Sequence, residues 1–174
     1  MKLELKNVKI NEAFSQETLM FKADLFADGK KIAYVENDGH GGCTWCNAYE
    51  NQREALAKAE AFALTLPSTI TNFGGKDYEF KSSLESWIDD AISKLQDSKE
   101  LVKLQKKIEK ACVNYIVWGV PNELSFQKWG FKQKFVLADL YKTIKGKEAI
   151  DKLVAKVKAD LKPNEVIFNT NIPI

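Results

Sequence analysis

Apolar and polar residues alternate through the opening of the chain in the way a half-buried sheet requires. Leu3 and Leu5, followed by a later Val8 and Ile10 pair, run near a period of two. Over residues 18–27, Leu19, Phe21, Ala23 and Leu25 share one face, and Asp28-Gly29 supplies a tight turn with positive φ. Residues 30–36 return with Ile32 and Tyr34 on a common face. These segments predict an antiparallel meander. The period then changes. Leu56, Ala59, Phe62, Ala63 and Leu66 fall at helical spacing across 52–66, and Pro67 stops the run. A polar stretch containing Gly74 and Gly75 leads to a second helix that starts at Ser82 or Ser83. There Ser82 and Glu85 match a capping box. Its buried stripe is Leu84, Trp87, Ile88, Ala91, Ile92 and Leu95. Asp97-Ser98 offers a place for a break before Leu101, Leu104, Ile108 and Cys112 resume the pattern.

Residues 114–120 are β-branched and aromatic and read as a strand, closed by Gly119 and Pro121. Residues 124–136 offer one or two more strands around Trp129-Gly130. A clear amphipathic helix spans 147–161 through Ile150, Leu153, Val154 and Val157; Pro163-Asn164 ends it, and residues 165–170 close the chain as a strand. Strands, helices, strands, helix, strand is an order that argues for an α+β fold. The expectation is a single domain over residues 1–174, in which an antiparallel sheet of the N-terminal meander plus C-terminal strands packs with about three helices.

Composition agrees with a globular chain: 45% of residues are apolar and 29% charged, unlike a disordered segment. Apolar runs such as 115–120 are far shorter than a bilayer requires. The start, Met1-Lys2-Leu3-Glu4-Leu5-Lys6, lacks the apolar core of a secretion signal, and the expectation is a cytoplasmic protein. Three cysteines, an odd number without a secretion signal, argue against a disulfide framework. Among 26 basic residues only Arg53 is arginine. That disfavours bidentate recognition of bases or phosphates. Residues 1–100 carry 12 basic and 17 acidic side chains, and residues 101–174 carry 14 and 7, so the charges separate along the chain. A basic C-terminal portion suits an acidic partner; a solvated lysine face is the plainer alternative.

The first candidate site is the loop Asn37, Asp38, Gly39, His40, Gly41 and Gly42. Successive amides in a glycine-rich turn can hold an anion, and Asp38 and His40, the one histidine of the chain, could orient or protonate a bound group. The same residues are also what a tight strand-to-loop connection demands, and the Lys-Ser/Thr of a phosphate-binding loop is missing. A second candidate is metal binding. His40, Cys43 and Cys46 have ligand-like spacing, and Cys112 could complete a zinc tetrahedron, although it also lies on an apolar helix stripe. Cys43-Thr44-Trp45-Cys46 does not open a helix after a buried parallel strand, as a thioredoxin-type motif would. No nucleophile elbow accompanies the single histidine, and no complete catalytic motif is present. Asp89 and Asp90 are adjacent on a helix and point apart, so they read as a solvated face. A third candidate is a basic patch of Lys103, Lys106, Lys107 and Lys110, with Lys132 and Lys134 interleaved among Trp129, Phe131 and Phe135, which could stack bases and neutralise phosphates. In an alternating strand those aromatics would instead face the core.

Glu17-Thr18-Leu19-Met20-Phe21-Lys22-Ala23-Asp24-Leu25, then Asp28-Gly29-Lys30-Lys31, then Val35-Glu36-Asn37-Asp38-Gly39-His40-Gly41-Gly42 form a continuous pattern. This stretch resembles a group of uncharacterised small proteins of bacteriophages, prophages and plasmids with an N-terminal meander ending in the same glycine loop. The closing Val166-Ile167-Phe168-Asn169-Thr170-Asn171-Ile172-Pro173 is similar to the final strand of that group. The resemblance implies a mobile-element origin and residence in a host bacterial cytoplasm. Accessory proteins of such elements often blunt host defence by binding a defence protein or sequestering a nucleotide signal. The expected function is therefore a non-enzymatic counter-defence binding protein without a cofactor, partnered by a host defence protein or a small nucleotide ligand. The alternative is a zinc-stabilised nucleic-acid-binding protein.

Overall fold

The computed structural model of the chain describes residues 1–174, which cluster into two compact units, Met1–Gln96 and Asp97–Ile174. Helices and antiparallel strands are segregated along the chain in an α+β arrangement.

In the first unit, β1 (Leu3–Ile10), β2 (Phe21–Ala27), β3 (Lys30–Asn37) and β4 (Trp45–Ala48) form one antiparallel sheet in chain order. The expected alternation builds its inner face. Ala23 lies opposite Val35 and Leu25 opposite Ala33, and all four are buried. Two bulges adjust the pattern. On β1 the register slips between Lys6 and Lys9, where Asn7 adopts φ 53°, and Val8 and Ile10 thereby rejoin the core that Leu3 and Leu5 contact. On β3 the slip falls at Ile32, since Leu25 faces Ala33 while Phe26 faces Lys31. The extra residue lets Ile32 and Ala33 both be buried. Tyr34 therefore alternates with Ala33 and Val35 instead of sharing a face with Ile32, and its hydroxyl donates to Glu36 at 3.0 Å.

Asp24, on the face opposite Ala23 and Leu25, is a buried carboxylate. It accepts from the Tyr49 hydroxyl at 2.5 Å and the Asn7 amide at 2.7 Å, and it pairs with Lys31 at 3.0 Å. Burial by itself would push this carboxyl up. The bonds from Tyr49, Asn7 and Lys31 together outweigh that and hold it below the ordinary carboxylate range.

α1 (Arg53–Ala63) and the start of α2 (Leu84–Cys112) cover the inner face of the sheet. Leu56, Ala59 and Ala63 join Leu84, Ile88 and Ile92 in one cluster. The stripe ends earlier than its spacing suggests. Leu95 is exposed, and Gln96 is buried, its amide donating to Glu12 at 2.9 Å. Of the two serines expected to start the helix, Ser83 is the one that caps it. Ser83 Oγ accepts the amide of Ser86 at 3.0 Å, while Ser82 donates to the Pro67 carbonyl and makes no box with Glu85. α2 passes through Asp97 and Ser98 without a break. The polar stretch before it is a hairpin of β5 (Thr69–Phe73) and β6 (Lys76–Phe80), joined by Gly74 and Gly75 at φ 59° and 81°.

In the second unit β7 (Ile116–Gly119) lies between β8 (Gln127–Trp129) and β9 (Val166–Ile167), all antiparallel, so the C-terminal strands make a sheet of their own. Residues 130–136 form no second strand. α3 (Leu137–Leu140) and α4 (Ile144–Asp160) complete the unit, and Ile116, Leu137, Ile150, Val154, Val157 and Ile172 are its core. Thr143 caps α4 by accepting the Gly146 amide at 3.1 Å, and the helix starts at Ile144, three residues ahead of the expected start. Asn169 is buried and ties the end of α2 to β7. Its Oδ1 accepts from Val117, and its amide donates to the Cys112 and Tyr115 carbonyls.

Candidate functional site

The glycine loop folds around Asn37, whose buried side chain uses both ends. Its Oδ1 accepts from the Thr18 hydroxyl at 2.8 Å and from the Gly39 amide at 2.9 Å. Its Nδ2 donates to the Gly42 carbonyl at 3.0 Å and to the Thr44 hydroxyl at 3.3 Å. The His40 amide donates to Asp38 Oδ1 at 3.0 Å, and the Gly41 amide to Thr18 Oγ1 at 3.3 Å. The amides of Gly39, His40 and Gly41 thus already have acceptors within the chain. The side chains of Asp38 and His40, by contrast, are exposed. A fan of successive amides does occur, but in the facing segment. Gln16, Glu17 and Thr18 all donate to the Gly39 carbonyl, at 2.9, 3.2 and 3.4 Å. Gly39 is required there, because at φ 86° a Cβ would sit 2.6 Å from the Phe14 carbonyl.

Immediately after the loop, Thr44 fastens it to α2. Its amide donates to Glu85 at 2.9 Å and its hydroxyl to Asp89 at 2.6 Å. Glu85 and Asp89 stand four residues apart and so occupy one helix face. For Asp89, partial burial and the nearby charge of Glu85 push the carboxyl up, against the lowering effect of the Thr44 hydroxyl. Beside this junction, Cys43, Trp45, Glu60, Leu64 and Glu85 line an open pocket of about 450 Å³. Trp45 is 65% exposed on its rim. Thr18, Asn37, Asp89 and Ser93 line a smaller hollow of about 220 Å³ on the other side.

Residue pattern alone missed this junction. The i, i+4 spacing of Glu85 and Asp89 was the available signal, whereas the adjacent Asp89 and Asp90 do diverge, with Asp90 pairing to Lys94 at 2.6 Å. Trp45 carried a weaker signal, a lone large aromatic opening a four-residue strand.

Cys43 and His40 are exposed, Cys46 is half-buried against the core of its unit, and Cys112 is buried. No three His, Cys, Asp or Glu side chains come together in a group that could hold a metal ion. Burial, with help from Glu60, Glu85 and Asp89, pushes the Cys46 thiol up to about 11, away from the reactivity a redox cysteine needs. Lys103, Lys106, Lys107 and Lys110 fall at i, i+3, i+4 and i+7 on α2 and are exposed, as are Lys132 and Lys134 in the irregular 130–136 segment. Of the interleaved aromatics, Phe131 packs against the core and meets Phe135 edge to face at 6.1 Å. Trp129 is 41% exposed with Lys156 over its ring at 5.7 Å.

No helix of the chain is long and apolar enough to cross a membrane. No family model, curated protein or solved structure matches the chain.

Proposed function

We propose that the chain is a non-enzymatic accessory binding protein of a bacteriophage or related mobile element, which blunts host immunity in the bacterial cytoplasm by contacting a defence protein. The reading rests on Trp45. This large aromatic is 65% exposed on β4, directly after a loop whose backbone is bonded internally and fastened to α2 through Thr44. An aromatic side chain held on a fixed backbone beside a pocket is the kind of anchor on which protein interfaces concentrate affinity. Asp38 and His40 would flank the contact. Because the amides of Gly39, His40 and Gly41 are occupied, the geometry favours a protein over a phosphate at this place.

The test is to express the chain in bacteria carrying individual defence systems and to measure phage plating. Protection against at least one system should be lost with Trp45→Ala, at an unchanged melting temperature. A Trp45→Ala protein that still blunts the same system would refute the assignment of the contact. In parallel, purified protein is screened against linear and cyclic nucleotides. A ligand at about 100 times its dissociation constant adds about 2.7 kcal/mol of stability. A nucleotide that produces such a shift would move the function to signal capture.

A further inference from the structure

The hairpin of β5 and β6 stands as a sheet of two strands, so each strand has one edge with no neighbour. Its residues are exposed except for the half-covered Thr71, with Ile70 at 68% and Phe73 at 59%. A lone hairpin is marginal in water, and natural edge strands are guarded by lysine, proline or a bulge. The two edges here differ. β6 reads Lys76-Asp77-Tyr78-Glu79-Phe80 and carries charge, whereas β5 reads Thr69-Ile70-Thr71-Asn72-Phe73, with no charge, no proline and an unbroken register.

We propose that β5 pairs antiparallel with β5 of a second copy of this chain, about a two-fold axis at Thr71, to give a four-stranded sheet in the order β6-β5-β5-β6. Phe73 and Lys76 close the two-residue turn, and doubly bonded pairs alternate with unbonded ones from there. Phe73, Thr71 and Thr69 therefore bond inward to β6, while Ile70 and Asn72 turn their N–H and C=O groups outward. A two-fold axis at Thr71 sets Ile70 opposite Asn72 of the second copy, so those outward groups meet and exchange both bonds. It also sets threonine against threonine, a favourable cross-strand pair, and opposes no like charges. The corresponding axis on β6, at Tyr78, would set Asp77 against Glu79. Charge thus selects the β5 edge, and the strand is complementary to itself. On the joined sheet Phe73, Tyr78 and Phe80 of both copies share one face, continuing the edge-to-face pair of Phe73 and Tyr78 at 6.1 Å.

Light scattering of the full chain across a dilution series should show the mass rising with concentration from 19.7 kDa toward twice that value. Thr71→Lys places like charges across the axis and should return the chain to the monomer without changing its circular dichroism, while Glu79→Gln on the other edge leaves the dimer in place. As a second readout, Thr71→Cys is made in a Cys43→Ser background. Opposed residues of an unbonded antiparallel pair have Cα atoms about 4.5 Å apart, within disulfide reach. Mild oxidation should then cross-link two copies through residue 71 and spare an Ile70→Cys protein in the same background. A chain that stays monomeric at every concentration would overturn the proposal. So would a dimer that survives Thr71→Lys, or equal cross-linking at 70 and 71.

Discussion

Asn37→Ala removes four hydrogen bonds at once, two accepted at 2.8 and 2.9 Å and two donated at 3.0 and 3.3 Å. At a net worth of about 0.5–1.5 kcal/mol each, their sum is about 2–6 kcal/mol. Two considerations place the loss in the lower half. The 3.3 Å bond is long, and the half-buried Thr18 can turn its hydroxyl to water. The expected cost is about 3 kcal/mol, which at about 2–4 °C per kcal/mol for a chain of this length lowers the melting temperature by about 6–12 °C. Thermal and urea denaturation measure the loss, and hydrogen exchange locates it, since the amides of Gly39 and Gly41 should exchange faster before any global unfolding. Asn37→Asp separates the two ends of the side chain. It keeps both acceptors and loses both donors, and it buries a carboxyl whose pKa is raised on folding. Such a group stabilises fully below its unfolded pKa and loses that contribution as pH rises through the folded value. The aspartate protein should therefore approach the wild type as pH falls toward the carboxylate range and lie furthest below it at pH 7. An alanine protein within about 0.5 kcal/mol of the wild type, with unchanged exchange at Gly39 and Gly41, would refute the view that this side chain organises the loop.

Asp24 has a folded pKa held below the ordinary range, so its stabilisation is present above the unfolded pKa and is lost as pH falls through the folded one. Urea melts from neutral pH into the acid range should fall more steeply for the wild type than for Asp24→Asn, which costs about 1–3 kcal/mol at pH 7; parallel curves would count against the network. The Cys46 thiol, pushed up to about 11, is about one part in a thousand ionised at pH 8. Iodoacetamide should therefore label it about a hundredfold more slowly than a free thiol in solution, while the exposed Cys43 labels readily. Peptide mapping that finds equal labelling of the two in the native protein would refute the placement of Cys46.

The strands of the meander were legible because each alternates over enough residues for the period of two to stand out, and even the β1 bulge left its trace in the step from Leu5 to Val8. The β5–β6 hairpin was not legible, for the opposite reason. Its residues are nearly all exposed, so no apolar alternation separates an inner from an outer face, and only Gly74-Gly75 pointed to the turn. The break that Asp97-Ser98 offered did not form, because the helix around it is rich in Lys, Leu, Glu and Gln, which propagate it well. α3 spans four residues, too few to register a period.

The turn at residues 37–42 was legible, and the internal bonding of its amides was not. Asparagine, aspartate and glycine mark places where backbone can turn left-handed, and that tolerance serves a ligand nest and an internally bonded turn equally well. The choice between them lies in partners far along the chain: Thr18 reaches Asn37 across 19 residues, and Thr44 reaches Asp89 across 45. No local motif encodes pairings of that span. One residue did carry a usable hint. An asparagine closing a strand whose alternate positions Val35 and Ala33 face the core must face it too, and a buried amide needs all its bonds satisfied by the chain itself. Asn37 was thus committed inward from the outset. What stands exposed there is a set of side chains, Asp38, His40 and the neighbouring Trp45, on a backbone whose Gly39, His40 and Gly41 amides already donate within the chain.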